Sequence, residues 1–327
     1  MKQILGLGNA LVDIMTLLTD DHLLDKFLLP KGSMQLVDEE KSAMIKSATE
    51  FLNRSLTSGG SAANTIHGLA MLGVNTGFVG SIGYDDLGVF FENDMKSAGI
   101  NTMLTHRNTA TGTAVALISP DSERTFATHL GAAVELMAED LKPDFFRGYD
   151  ILYLEGYLIF NKQLVISACK IAKDLNMKIA LDLSSYNVVE SKLADFNEVV
   201  GKYIDIVFAN EEEAKAFTGK SPVEALNLIS GMCEVAVVKT GSEGSILKKG
   251  DELIKVKAHP VTCKDTTGAG DLYAAGFLFG YSNGLDMEKC GLIGSLVAGK
   301  VVENIGARIS IDSWDIIRQT IKNIIKK

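Results

Sequence analysis

Two periodicities take turns along most of this chain. Short apolar runs at residues 3–7, 78–82, 150–156, 178–184, 205–210 and 235–239 read as buried strands. Between them, apolar residues recur at helical spacing at 61–73, 87–98, 163–175, about 189–200, 211–218 and 222–232. Strands apolar on both faces, alternating with helices, predict a parallel sheet covered by helices on either side. Near the start, the pattern predicts helices at 19–29, capped by Thr19, and at 38–53. The last stretch, WDIIRQTIKNIIKK, aligns Trp314, Ile317, Ile321, Ile324 and Ile325 on one stripe, a core-packing helix rather than a membrane anchor.

The alternation breaks at residues 113–130, where TAVALISP, a turn at DSER and TFATHL form a hairpin signature. With the edge-strand pattern of MQLV at 34–37, it predicts a small β-sheet standing over the main body as a lid. The expected fold is therefore α/β, with a mostly parallel central sheet and a second small sheet. Residues 1–13, 38–108 and 131–327 form the main domain in this reading, and 14–37 with 109–130 form the lid.

A chain of 327 residues with 46% hydrophobic and 22% charged residues suits one large globular domain with an appendage. The net charge of −9 argues against general nucleic-acid binding, which draws on Lys and Arg. Cys169, Cys233, Cys263 and Cys290 form no CxxC pair, so neither a disulfide framework nor a zinc site is indicated. The first residues read as a strand ending in glycines rather than as a leader, and no apolar run spans a bilayer. A cytoplasmic location is expected.

Candidate chemistry concentrates at glycines that precede helices. In DTTGAGDLYAAGF, residues 265–277, Gly268, Ala269 and Gly270 fall where a loop becomes a helix. Free N–H groups and the helix dipole favour an anion there, with Asp271 beside it as a carboxylate. The other reading is a glycine-rich turn with a capping Asp. SGGSAANTIHGLAMLG, residues 58–73, brings Gly60, Ser61 and Asn64 to a second helix start, suited to hydroxyl recognition or to a structural turn. GLGNALVD has Leu11 where a dinucleotide fingerprint needs glycine, but leaves Asn9 and Asp13 past a buried strand, as a ligand edge or as turn and surface residues. Arg124 at the hairpin tip is either a solvated turn charge or a residue that reaches substrate or phosphate. Thr218-Gly219-Lys220-Ser221 lacks the earlier glycine of a P-loop and follows a helix, so a Walker-type site is dismissed.

GGSAAN at 59–64, NEEE at 210–213, KTGSEG at 239–244 and DTTGAGD at 265–271 follow one another in the order and spacing of the ribokinase, or PfkB, family of small-molecule kinases, which this chain resembles over nearly its whole length. GNALVD at 8–13 and Gln35 within SMQLV bring it nearest the adenosine-kinase-like branch. The resemblance implies ATP- and Mg²⁺-dependent phosphorylation of a ribonucleoside, adenosine first, with a sugar kinase as the alternative and a non-catalytic nucleotide-binding protein as a third reading. It implies that Asp271 activates the acceptor hydroxyl while Gly268, Ala269 and Gly270 bind the moving phosphoryl. Asp13, Gly60, Ser61 and Asn64 would hold the acceptor, with Asn9, Gln35, Arg124 and Glu155 around them. Glu155 stands where an aromatic base contact is expected, a role left to Tyr157 or Phe126. Asn210, Thr240, Gly241 and Asn304 would contact ATP, and Glu213 would place Mg²⁺ through water. Asp265 and Thr267 match the side-chain end of the family's monovalent cation site, K⁺ for example. The partners implied are small molecules, with no nucleic acid or membrane, in a monomer or homodimer.

Overall fold

Strands apolar on both faces can only sit inside, and the six read from the sequence do. A computed structural model describes residues 2–121 and 123–326, so Ser122 of the DSER turn and Lys327 of the last helical pattern lie outside the described residues. Nine strands form the main sheet, in the order Glu252–Val256, Ser245–Lys249, Val235–Lys239, Ile206–Asn210, Lys178–Asp182, Ile151–Glu155, Ile4–Leu7, Thr76–Gly83, Asn101–Arg107. From Val235–Lys239 to Asn101–Arg107 the strands run parallel; the first two add an antiparallel hairpin. On one face, the helices Lys162–Asp174, Leu193–Tyr203, Glu211–Thr218 and Pro222–Ser230 bury Leu164, Ala168, Phe196, Ala214 and Leu226. On the other, the helices Ser61–Met71, Ala269–Ser282, Met287–Val302 and Ile311–Lys326 bury Ile66, Leu272, Phe277, Ile293 and Trp314.

The second sheet is five-stranded, in the order Met34–Leu36, Arg124–His129, Gly112–Ile118, Leu11–Leu17, Arg54–Gly59. The hairpin and the 34–37 strand are where the sequence pattern put them; two further strands were not anticipated. Leu11–Leu17 alternates, with Val12, Ile14 and Thr16 buried and Asp13 and Met15 half-buried. Its position after a glycine turn disguised it as loop. Arg54–Gly59 has Leu56 as its only large apolar residue because it is an edge strand, exposed at Ser55 and Leu56 and buried only at Ser58 and Gly59. The sheet therefore takes in residues 11–13 and 54–59, which the sequence reading assigned to the main domain. Asn101–Arg107, the edge of the main sheet, was hidden by the same polar character.

Helix 19–29 is in fact His22–Lys26, because the Asp20 carboxylate accepts the His22 N–H and Leu28 turns left-handed at φ 50°. Helix 38–53 is Glu39–Ala48, capped by Asp38 accepting from Lys41 N–H at 2.8 Å. No helix among the described residues is long and apolar enough to cross a membrane.

Two helices on the second face pack closely along Gly68. A Cβ on Gly68 would come within 2.7 Å of Leu272 and 2.9 Å of Ala275, so Ser61–Met71 and Ala269–Ser282 touch through bare backbone. Overpacking there has two expected consequences. Gly68→Val should lower unfolding free energy by about 1–3 kcal/mol, read from urea melts. Outward surface substitutions such as Lys170→Ala should leave the midpoint within about 0.5 kcal/mol.

Candidate active site

The turn into helix Ala269–Ser282 is built by Asp265. Its Oδ1 accepts from Thr267 N–H at 2.9 Å and from the Thr267 hydroxyl at 2.8 Å, and its Oδ2 accepts from Gly306 N–H at 2.5 Å. Gly268 then adopts φ 75°, and a Cβ on it would strike Ala307 at 2.6 Å, so glycine is required twice over. The Ala269 N–H turns back to the Thr266 carbonyl at 3.1 Å, which removes it from the expected set of anion donors. The N–H groups of Gly268, Gly270 and Asp271 have no acceptor among the described residues and form the hole at the helix start.

Asp271 is held from the neighbouring helix. Ser61 Oγ donates to its Oδ1 at 2.7 Å and Asn64 Nδ2 to its Oδ2 at 3.0 Å. Burial pushes its carboxyl up to about 6, against the pull of these two donors and of Lys239, with Asp182 adding to the rise. Such a group is ionised at neutral pH yet basic enough to take a proton. Asn64 Oδ1 is buried with no partner among the described residues, an acceptor aimed at nothing in the protein.

Two carboxylates and one ammonium, Asp182, Glu213 and Lys239, lie beyond Asp271. Lys239 Nζ is 2.8 Å from Asp182 Oδ2, and a Cβ on Gly270 would come within 3.0 Å of the ammonium. Burial draws the Lys239 pKa down, but Asp182, Glu213 and Asp271 outweigh it and leave it above its ordinary value. Glu213 is raised by burial in spite of Lys239, and both its oxygens accept from Asn210, through the backbone N–H and through Nδ2, each at 2.8 Å. Neither Asp182 nor Lys239 was singled out in the sequence. The signal for both was available, since each is the charged residue that ends an apolar strand of a parallel sheet.

A single cavity of about 1090 Å³ runs past all of these groups. On one side of Asp271 it is walled by Leu11, Asp13, Gly60, Ala114, Phe126 and Tyr157. On the other it is walled by Gly241, Ser242, His259, Pro260, Val261 and Val302, with Asn210 and Glu213 at its polar edge. Burial and the field of Asp271 raise Asp13 to about 7, with Arg308 opposing. The slot formed by 258–261 against Ala298 and Gly299 was missed, because VKAHPVTC reads only as a polar, β-prone lead-in.

Several predicted site residues do not reach this cavity. Glu155 is 1% exposed and accepts from Asn9 N–H at 3.0 Å, Asn9 Nδ2 at 2.6 Å and Ala62 N–H at 2.8 Å, so Asn9 and Glu155 satisfy each other and a helix start beneath the floor. Gln35 donates to Ser33 Oγ at 3.2 Å on the outer strand of the second sheet. Asn304 donates to the Lys300 carbonyl at 2.8 Å, and Thr240 N–H to the Gly244 carbonyl at 2.8 Å. None of these five lines the cavity. Arg124 is neither solvated nor in the acceptor pocket: its Nη1 lies 2.6 Å from Asp265 Oδ1.

The pfkB family carbohydrate kinase profile matches residues 34–314. The adenosine kinase of Sinorhizobium meliloti superposes with a TM-score of 0.88 at 35% identity, over 98% of this chain and 99% of that one. A probable sugar kinase of Rhizobium etli superposes equally well, with a TM-score of 0.88 at 33% identity and 98% coverage of both chains. The nucleoside kinase of Methanocaldococcus jannaschii is 30% identical over 263 residues, covering 79% of this chain and 83% of its own.

The buried carboxyls set a pH dependence of stability. Asp13 and Glu155, raised by burial to about 7, and Asp271, raised to about 6, all bind protons more tightly folded than unfolded. Between their unfolded values near about 4 and these folded values, the native state holds more protons, so stability falls as pH rises through that window. Melting temperature should be higher at pH 5.5 than at pH 7.5, and Asp13→Asn should flatten the difference. A melting temperature that climbs over this range would contradict the assignment.

Proposed function

The chain belongs to the pfkB family of carbohydrate kinases, phosphotransferases with an alcohol group as acceptor, and from that premise we propose that it transfers the γ-phosphoryl of ATP to the 5′-hydroxyl of a ribonucleoside, adenosine first. The observation that carries the reading is Asp271, a carboxylate oriented by Ser61 and Asn64 beside free helix N–H groups and midway along one two-sided cavity. The acceptor enters on the Asp13 side and ATP on the Asn210 side. Asp271 takes the proton of the acceptor hydroxyl as its oxygen bonds to the γ-phosphorus and the bond from that phosphorus to the bridging oxygen breaks, releasing ADP. Gly268, Gly270 and Asp271 N–H groups and the Lys239 ammonium meet the charge on the transferred group. Asn64 Oδ1 and Asp13 accept from acceptor hydroxyls.

The donor set suits Mg²⁺ carried by the nucleotide. No cluster of three His, Cys, Asp or Glu side chains capable of holding a metal occurs among the described residues, and Glu213 lines the cavity with its carboxylate already engaged by Asn210. An ion of this kind keeps several waters and binds mainly phosphate, so Glu213 would hold it through water. When bound, it neutralises phosphate charge.

The flat apolar surfaces of Phe126 and Tyr157 beside Asp13 favour a base over a bare sugar. A sugar acceptor is the second reading, supported by the likeness to the probable sugar kinase. A turnover panel with ATP, Mg²⁺ and adenosine, other nucleosides, ribose, fructose and 2-keto-3-deoxygluconate separates them; turnover of sugars alone would sink the nucleoside assignment. Asp271→Asn should lower kcat by about 10²- to 10⁴-fold. With Asp271 protonated below about 6, kcat/KM should rise with pH through that value and level off above it.

A further inference from the structure

Asp265 holds both walls of the anion hole. Through Thr267 it fixes the turn into Gly268, and through Gly306 it fixes the segment whose Ala307 packs against Gly268. Its side chain is 2% exposed. A carboxylate withdrawn from water to that degree is costly to keep ionised, and a cation beside it offsets that cost.

That cation is Arg124. Its Nη1 lies 2.6 Å from Asp265 Oδ1, and its side chain is 11% exposed. Its Nε and Nη2 are buried without a partner among the described residues, so Asp265 is the one group it engages there. Guanidinium does not deprotonate in proteins, and the charge is therefore permanent. The resemblance to ribokinases placed a monovalent cation at Asp265 and Thr267, and these residues do not fit one. Both carboxylate oxygens are engaged by Thr267 and Gly306, and the charge such an ion would bring is already present.

We propose that the Arg124 guanidinium takes the place of a monovalent cation at Asp265, so that phosphoryl transfer runs without K⁺. The proposal rests on the kinase reading of the site, and Arg124 acts in it as a positioning residue. A dissolved ion occupies its site according to its concentration, whereas Arg124 is tied to the strand Arg124–His129. Phe126 on that strand lines the acceptor side of the cavity. Neutralisation of Asp265 thus arrives together with the wall that faces the acceptor.

The test uses the full chain in choline, sodium and potassium chloride at one ionic strength, which keeps screening equal, and turnover of whichever acceptor the panel identifies should agree within about twofold across the three salts. Melting without substrate should show no K⁺-specific shift. Arg124→Ala should lose about ten- to a hundredfold in kcat in choline, since one partner of a buried pair is left alone. Added K⁺ or guanidinium should restore part of that loss, and Arg124→Lys should retain most of the activity. K⁺ activation of the unsubstituted protein, a K⁺-specific rise in its melting temperature, or a full kcat for Arg124→Ala in choline would each overturn the proposal. The salt comparisons on the unsubstituted protein stand even where the alanine variant does not fold. Failure to turn over any acceptor sinks the kinase reading alone, because the melting comparison decides the role of Arg124 without it.

Discussion

A carboxylate that must be taken out of water and still remain basic is the constraint on which the rest of this molecule depends. Asp271 is buried beside the cavity, and burial raises its proton affinity. Ser61 and Asn64 counter that by donating to both its oxygens, and they are available only because helix Ser61–Met71 begins where helix Ala269–Ser282 begins. The close approach of those helices in turn needs Gly68 without a side chain. The chain of cause therefore runs from one missing Cβ, through helix packing, to the proton affinity of a single group. The start of helix Ala269–Ser282 also aims free N–H groups and partial positive charge at the same place.

The charged groups around Asp271 extend the same logic. Lys239 pairs with Asp182, Arg308 donates to the Ser58 carbonyl and opposes the rise of Asp13, and Arg124 faces Asp265. Each cation comes from a different element, so the local field is right only in the assembled fold. Surface networks such as Lys162 with Asp195 and Glu198 are of another kind, since exposed pairs contribute little and are screened. The cavity is thus held by cations whose partners are fixed, and a phosphate entering it meets charges that have no need to reorganise.

How much of this could be read in the sequence depends on how each residue is buried. The interior strands and the start of helix Ala269–Ser282 were legible because continuous apolar runs and a glycine-rich helix start have few other uses. The strands Arg54–Gly59 and Asn101–Arg107 were not, because edge strands expose polar residues and lose the period that marks them. Asn9 was placed at the acceptor because a polar residue past a strand end suggests a ligand, and Glu155 because the family resemblance puts a base contact there; they bond to each other instead, and a sequence does not state which partner a polar group has found. Lys239 and Asp182 fell to the opposite error. Asp182 pairs in register with Phe208 on the next strand, and Lys239 with Asn210 one strand further, a proximity that exists only once the parallel sheet is ordered.

The bond between Glu155 and Asn9 bears on the acceptor by another route. The chain leaves the main sheet at Leu7 and enters the second sheet at Leu11, and Gly8, Asn9 and Ala10 are the crossing between them. Glu155 grips that crossing at Asn9 and the start of helix Ser61–Met71 at Ala62. A Cβ on Gly8 would lie 2.5 Å from both Ala62 and Glu155, so the three segments are locked together. Asp13, four residues past Asn9, takes its position from that lock, pairing with Thr57 and Ala114 across the second sheet. In the proposed reading, the acceptor side of the cavity is therefore a product of how two sheets are joined, while the transfer chemistry would belong to two helix starts. Leu11, Ala114 and Phe126 come from strands of the second sheet, whereas Ser61, Asn64 and Asp271 come from the two helices. That separation gives a physical reason why kinases named for nucleosides and for sugars share one frame.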